Sequence, residues 1–357
     1  MISFARGVPA PECLAVDELA DCARAAFERD GRAILSYGPG GGYGPLREEL
    51  AARHGVEPGR VLITSGSLQG FVFLAQHLVQ PGTRVLVEAP TYDRPLKILA
   101  RLGADIVTVP MDDEGLIPDE LADLLDGGDF AFLYTIPTFQ NPSGRTMSKA
   151  RRRRLAELAA ERGLLVLEDD PYGLVRYEGD PLPSVFDLSG GATAYCSSFS
   201  KTVAPGVRVG WFVLPEDLAG ELEALATSTY ISPPYLSQAT VLEFLTRGSF
   251  APNLDRVNGL LRARRDAMLA ALEREMPDDA TWTRPEGGYF VWLDLPSGPP
   301  SAELLAQAEA EGVSFVQGTD FFPGGQGGER SLRLAFSFVS PDEIADGVAR
   351  LAELVTR

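Results

Sequence analysis

The chain has little of what most metal, redox or nucleic-acid sites need. Its 357 residues include two histidines, His54 and His77, and three cysteines, Cys13, Cys22 and Cys196. So few imidazoles and thiols argue against a Cys/His metal centre. The odd, scattered cysteines argue against a disulfide framework and fit a reducing, cytoplasmic setting. Lysine is scarcer than arginine: Lys97, Lys149 and Lys201 are the whole set. No apolar run approaches the ~20 residues of a membrane span, and the opening Met1–Gly7 has no signal-peptide pattern. The formal charge of −18 leaves no basic surface for nucleic acid or anionic lipid, so neither is expected as a partner. An anionic small ligand therefore needs its own local cluster of arginines.

What is present is an ordinary globular composition, 45% apolar and 23% charged. Up to about residue 214, short apolar β-prone runs alternate with helical patterns. Strands are predicted at 61–64, 84–88, 105–109, 130–136, 164–167, 192–196 and 207–214. Helices are predicted at 17–29, 46–54, 67–79, 94–102, 118–125 and 149–162. Apolar strands separated by helices predict an α/β fold with a mainly parallel sheet covered on both faces. In such sheets ligands sit at the C-terminal ends of the strands. After Gln238 the pattern becomes α+β: a long helical region over 242–275 with a break near Gly248, then strands at 281–283, 289–295, 314–316 and 331–338 among helices at 302–311 and 342–356.

The chemistry-bearing residues follow the predicted strand ends. Ser197-Ser198-Phe199-Ser200-Lys201 sets a lysine in a polar bend between two apolar strands, with Arg208 beyond. A desolvated lysine is a carbonyl-reactive amine. The hydroxyls of Ser198 and Ser200 with the cation of Arg208 suit a phosphate. Ser65-Gly66-Ser67 opens a helix, where free N–H groups and the helix dipole favour an anion, although plain capping by Ser67 reads equally well. Tyr92 follows the strand at 84–88 and could stack on a planar ligand; a half-buried loop aromatic is the commoner case. Asn141, before a proline, is a fixed amide or an ordinary turn residue. Glu168-Asp169-Asp170 follows a buried strand, and three acids there are costly unless they are paired or face a cation. Arg333, inside the apolar run 332–336, calls for an anion, either a substrate carboxylate or a structural partner. The glycines of Gly38–Gly44 resemble a phosphate loop, but no Lys-Ser/Thr pair ends them, so a connector is the better reading.

A phosphate cradle, a stacking aromatic, an acid for a ring nitrogen, a carbonyl-reactive lysine and a carboxylate-binding arginine together describe a pyridoxal 5'-phosphate site. With its Asn-Pro-Ser-Gly, Glu-Asp-Asp-Pro-Tyr-Gly and Ser-Phe-Ser-Lys motifs, the chain resembles the fold-type I class I/II aminotransferases. It is most similar to the 2-aminoadipate/kynurenine aminotransferase group and the MocR effector domains. The resemblance implies an aspartate aminotransferase-like large domain with a mainly parallel seven-stranded sheet over 41–238. It also implies a smaller α+β domain over 239–357 and an N-terminal segment, 1–40, at the substrate mouth and dimer contact. It implies that Lys201 forms the Schiff base, that Asp169 holds the pyridine nitrogen protonated, and that Tyr172 and Asn141 bond the ring hydroxyl. Tyr92 would stack on the ring, and Ser65, Gly66, Ser67, Leu68, Ser198, Ser200 and Arg208 would line the cofactor pocket. Arg333, Asn141 and Gly7 would meet the substrate. Tyr37 matches a tyrosine that reaches the neighbouring subunit's phosphate, which implies a homodimer. Two departures stand out: Leu68 occupies a position where glutamine is common, and Arg6 replaces a glycine near the substrate mouth. Arg6 is expected to bind an anionic group of the substrate. Transamination of an L-amino acid and a 2-oxo acid is the leading expectation. Another pyridoxal-phosphate reaction (elimination, replacement, cyclisation or oxidation) is the alternative, and a non-enzymatic ligand sensor is a third reading.

Overall fold

The computed structural model describes residues 1–356. Its centre is an eight-stranded sheet in the order β2 (Val61–Thr64), β9 (Gly210–Val213), β8 (Ala194–Ser198), β7 (Val166–Asp169), β6 (Leu133–Thr135), β3 (Arg84–Ala89), β4 (Asp105–Asp112), β5 (Gly115–Leu116). From β4 through β3, β6 and β7 to β8 the pairing is parallel; β9 runs antiparallel to both β8 and β2. Seven of the eight strands are the predicted ones. The eighth, β5, is a two-residue antiparallel addition at the edge of β4, too short to leave a periodic signal.

The central strands are buried end to end, as both faces are covered: Val85, Leu86 and Val87 of β3 and Val166 and Leu167 of β7 are fully enclosed. Local signals set the helix boundaries. Helix Lys149–Arg162 starts where Ser148 accepts the Arg151 N–H at its N-cap and stops at Gly163, whose φ of 63° a side chain disfavours. Helix Glu216–Tyr230 is not among the predicted elements. It is packed by Leu218, Leu222 and Ala226 against the sheet core.

The smaller layer is a four-stranded antiparallel sheet, β10 (Thr281–Trp282), β11 (Phe290–Asp294), β14 (Ser331–Ala335), β13 (Val316–Gln317). Beside it β1 (Ile2–Ser3) pairs in parallel with β12 (Val313–Ser314). The hydrophobic clusters divide the chain differently from the expected boundaries at 40 and 238. Ile2, Phe4, Ala10 and Cys13 pack into the small-domain core, whereas Ala15, Cys22, Ala26 and Ile34 pack with Val61 and Ile63 of the large one. The N-terminal segment is thus shared between the two cores. Helix Tyr235–Thr246 also buries Ala239, Val241 and Phe244 in the large core, so position 238 falls inside an element. The crossing lies at the turn before helix Phe250–Glu275, whose Val257, Leu261 and Met268 belong to the small core.

Candidate active site

The strand ends of the large sheet open onto a cavity of about 400 Å³. Its lining includes Gly7, Gly66, Ser67, Leu68, Tyr92, Asn141, Asp169, Tyr172, Ser198, Ser200, Lys201, Arg208 and Arg333, all predicted site residues. A larger groove, about 900 Å³, runs between residues 144–149 and 281–286 and contains none of them.

Asp169 is the last residue of β7. Its pleat partners Glu168 and Asp170 lead elsewhere, which is how a buried strand tolerates three acids in a row. Glu168 accepts the Phe186 N–H and sits 3.9 Å from Arg152, while Asp170 accepts from Tyr195 Oη at 3.1 Å and from the Gly173 N–H. Asp169 itself has neutral donors: Tyr134 Oη donates to Oδ2 at 2.7 Å and Cys196 Sγ to Oδ1 at 3.3 Å. Burial pushes its carboxyl up to about 6, which those two hydrogen bonds only partly offset.

Lys201 follows β8 in the bend that returns to β9. Its amine donates to the Gly7 carbonyl at 2.9 Å and lies 5.2 and 5.7 Å from the ring centres of Tyr289 and Tyr172. Desolvation, with the nearby cations Arg333 and Arg208, lowers its pKa to about 8. The other two lysines, Lys97 and Lys149, are exposed on helix surfaces. Gly7 has a packing reason to lack a side chain: a Cβ there would stand 2.6 Å from the Phe290 ring.

The anion cradle is built from three loops. Gly66, at φ 86°, precedes helix Ser67–Leu78, and a Cβ on it would meet Arg208 Nη2 at 2.2 Å. Arg208, itself at φ 50°, donates to the Ser65 carbonyl at 2.8 Å and to Ser200 Oγ at 3.3 Å. Ser198 Oγ donates to Ser200 Oγ at 2.8 Å. Gly210 lets β9 approach closely, since a Cβ there would sit 2.4 Å from the Ser67 nitrogen. Hydroxyls, a guanidinium and a helix N-terminus thus converge on one spot.

Arg333, on β14, is buried. One Nη donates to Asn141 Oδ1 at 2.9 Å, the other to the Ala5 carbonyl at 3.0 Å, and Nε has no partner among the described residues. The planes of Phe290 and Phe321 lie 4.3 and 5.0 Å from the guanidinium. Each Nη keeps a second N–H beyond the one it donates, so the fixed side chain has donors left for an anion.

Three predicted residues stand apart. Ser65 contributes its backbone carbonyl to Arg208 and does not line the cavity. Tyr37 is 82% exposed and lies outside the cavity of its own chain. Arg6 is not brought in: its guanidinium sits 4.2 Å over the Phe338 ring, a cation–π contact that occupies it away from the cavity lining. The cavity instead holds Arg94, an exposed cation that approaches Asp93 at 3.7 Å. Sequence reasoning also missed Tyr134, Cys196 and Tyr289. Cys196 is opposite Asp169 in the strand register, a relation visible only once β7 and β8 are paired.

The donor set fits pyridoxal phosphate. Asp169 is a buried acid with no cation beside it among the described residues, as a protonated ring nitrogen requires, and Lys201 is the one lysine in reach of that space. Fold and pocket together define a pyridoxal-phosphate enzyme that handles amino groups. The profile of the family "Aminotransferase class I and II" matches residues 10–351. Relatives span nearly the whole chain. A 2-aminoadipate transaminase of Thermus thermophilus is 39% identical over 98% of this chain and 89% of its own length. An aromatic-amino-acid aminotransferase of Thermococcus litoralis is 36% identical over 99% and 88%. The crystal structure of a Thermus thermophilus alpha-aminoadipate aminotransferase, complexed with N-(5'-phosphopyridoxyl)-L-leucine, superposes with a TM-score of 0.94 at 38% identity, covering 100% of this chain and 92% of that one. The chain belongs to the class I and II aminotransferases and is a pyridoxal-phosphate-dependent enzyme.

Proposed function

We propose that this aminotransferase moves the amino group of an L-amino acid to a 2-oxo acid in two half-reactions, with Arg333 clamping the α-carboxylate of both. The observation that carries this reading is the fixed, buried guanidinium of Arg333 with unspent donors, in one cavity with Lys201 and Asp169. Pyridoxal phosphate, when bound, supplies an aldehyde for the substrate amine and a ring that takes up the electrons of the broken Cα–H bond. Lys201 would hold that aldehyde at rest; freed by the incoming amine, its own amine would take the proton from the substrate Cα and give it up on the cofactor side rather than back to Cα, so that the amino group stays behind when water releases the 2-oxo acid. An amine with a pKa near 8 is suited to that task near neutral pH. Asp169 keeps a proton on the ring nitrogen. Asn141 and Tyr172 orient the ring from the side of its hydroxyl, Tyr92 from its face. Ser67, Ser198, Ser200 and Arg208 hold the phosphate.

The active form in this proposal is a homodimer in which Tyr37 serves the partner's phosphate site. Its high exposure, with Leu35 and Ile231 also exposed at 71% and 57%, supports a covered apolar face in the assembly. Two measurements test the reading. Borohydride reduction of the holoenzyme, digestion and mass spectrometry should give a pyridoxyl adduct on the Lys201 peptide. An amino acid added alone should convert the cofactor's absorbance to that of the pyridoxamine form. Absence of that conversion with every donor in a broad panel, with the adduct present, would refute transamination.

A further inference from the structure

The Asp169 carboxylate is held from two sides by groups outside the motifs described above. Tyr134 is on β6, two residues after the fully buried Phe132, and its ring is held edge-on by Phe71 at 5.3 Å between centroids. Its hydroxyl donates to Oδ2 at 2.7 Å. Cys196 is the register partner of Asp169 on β8, and its thiol donates to Oδ1 at 3.3 Å. Both side chains are almost wholly buried. Burial and the adjoining carboxylate push the phenol and the thiol well above their ordinary pKa values, so both stay protonated and can only donate to a charged Asp169. Among the described residues no cation takes part in fixing the carboxylate, and its orientation rests on these two bonds.

We propose that Tyr134 and Cys196 are positioning residues that lock the Asp169 carboxylate in its charged form and in one rotamer, so that it aims at the cofactor's ring nitrogen. The proposal rests on the pyridoxal-phosphate reading above. The direction of its consequence follows from electrostatics. Removing either donor makes the charged carboxylate less favourable, so the shared proton moves from the ring nitrogen toward Asp169. The ring then withdraws electrons less, the nitrogen of the Lys201–cofactor linkage becomes more basic, and loss of the substrate Cα proton slows. Arg333 and the phosphate cradle are untouched, so substrate affinity holds.

The test uses holoenzyme of Tyr134→Phe, Cys196→Ala and Cys196→Ser. Three quantities are measured: the pH midpoint of the visible cofactor band, kcat and KM separately, and the rate of Cα hydrogen exchange with solvent. Hydrogen bonds to charged groups are worth about 1.5–3 kcal/mol, so Tyr134→Phe should lower kcat and the exchange rate roughly tenfold or more, with KM within about twofold of wild type. The band's midpoint should move to higher pH in Tyr134→Phe and Cys196→Ala and lie closer to wild type in Cys196→Ser, which keeps a donor. An unchanged midpoint in both donor-free variants overturns the proposal, whatever happens to kcat. So does a Ser variant indistinguishable from Ala, because a purely structural thiol predicts that result. Tyr134→Phe removes a single oxygen, which keeps the measurement available if changes at Cys196 unfold the protein. Failure to find a pyridoxyl adduct on Lys201 in the wild type would instead strike the underlying reading.

Discussion

Arg333 allows the most direct calculation. An arginine has five N–H donors. In this site one is spent on Asn141 and one on the Ala5 carbonyl, while Nε is unpartnered among the described residues. A carboxylate taken by two of the remaining N–H groups gains two charge-assisted hydrogen bonds of about 1.5–3 kcal/mol each, so the clamp is worth about 3–6 kcal/mol. Arg333→Ala should therefore cut kcat/KM for an α-amino acid by about a hundredfold to ten-thousandfold. The assay is the donor half-reaction, followed by the cofactor's absorbance under single-turnover conditions. A primary amine with no α-carboxylate is the internal control, and its slow reaction should change little. The cofactor should stay bound, since Arg333 is on β14 and the phosphate cradle comes from the large domain, but its band's midpoint should move to higher pH, because the Arg333 cation lowers the Lys201 pKa. A loss below tenfold with amino acids, or an equal loss with the carboxylate-free amine, would refute the assignment of the clamp.

Other outcomes follow from the same geometry. In cofactor-free protein the Lys201 amine should react with amine reagents with a midpoint near pH 8, read by mass spectrometry of its peptide. Because its folded pKa lies below the ordinary 10.5, its penalty on folding is full below about pH 8 and is relieved as pH rises toward 10.5. Asp169, raised from 3.8 to about 6, works in the opposite sense: its penalty is full above pH 6 and is relieved as pH falls toward 3.8. Gly66→Ala would force a Cβ to within 2.2 Å of Arg208 at a φ of 86° and should weaken cofactor retention about tenfold or more, measured by dialysis against phosphate buffer. Arg94→Ala should raise KM for dicarboxylic 2-oxo acids about two- to fivefold over that for monocarboxylic ones, the modest effect of an exposed cation. Arg6→Ala should change neither value, and a selective effect at Arg6 would reverse the two assignments.

Much of this site could be read from the chain because its residues follow strands whose apolar runs are unbroken. Val61–Thr64 and Arg84–Ala89 mark where the backbone emerges, and Ser67 and Tyr92 come directly after them. What could not be read depends on lateral neighbours. Tyr134 and Cys196 flank Asp169 through strand pairing, and linear order says nothing of which strands are adjacent. Helix Glu216–Tyr230 carries Leu218, Leu222 and Leu225 at helical spacing, so the chain did hold the signal for this unpredicted element. Arg6 is expected at the substrate mouth because it replaces a glycine of the motif it resembles, yet adjacent residues point in different directions. The carbonyl of Gly7 meets Lys201, while the side chain of Arg6 finds Phe338.

The arrangement of the three lysines has a practical corollary. Lys97 and Lys149 present their amines to solvent, and Lys201 hides its own in the cavity, where the cofactor would occupy it. Aldehyde- or ester-activated resin would therefore graft the protein through two defined side chains and the amino terminus. Replacing Lys97 by arginine would leave Lys149 and the amino terminus as the grafting points, narrowing the range of orientations without any engineered tag.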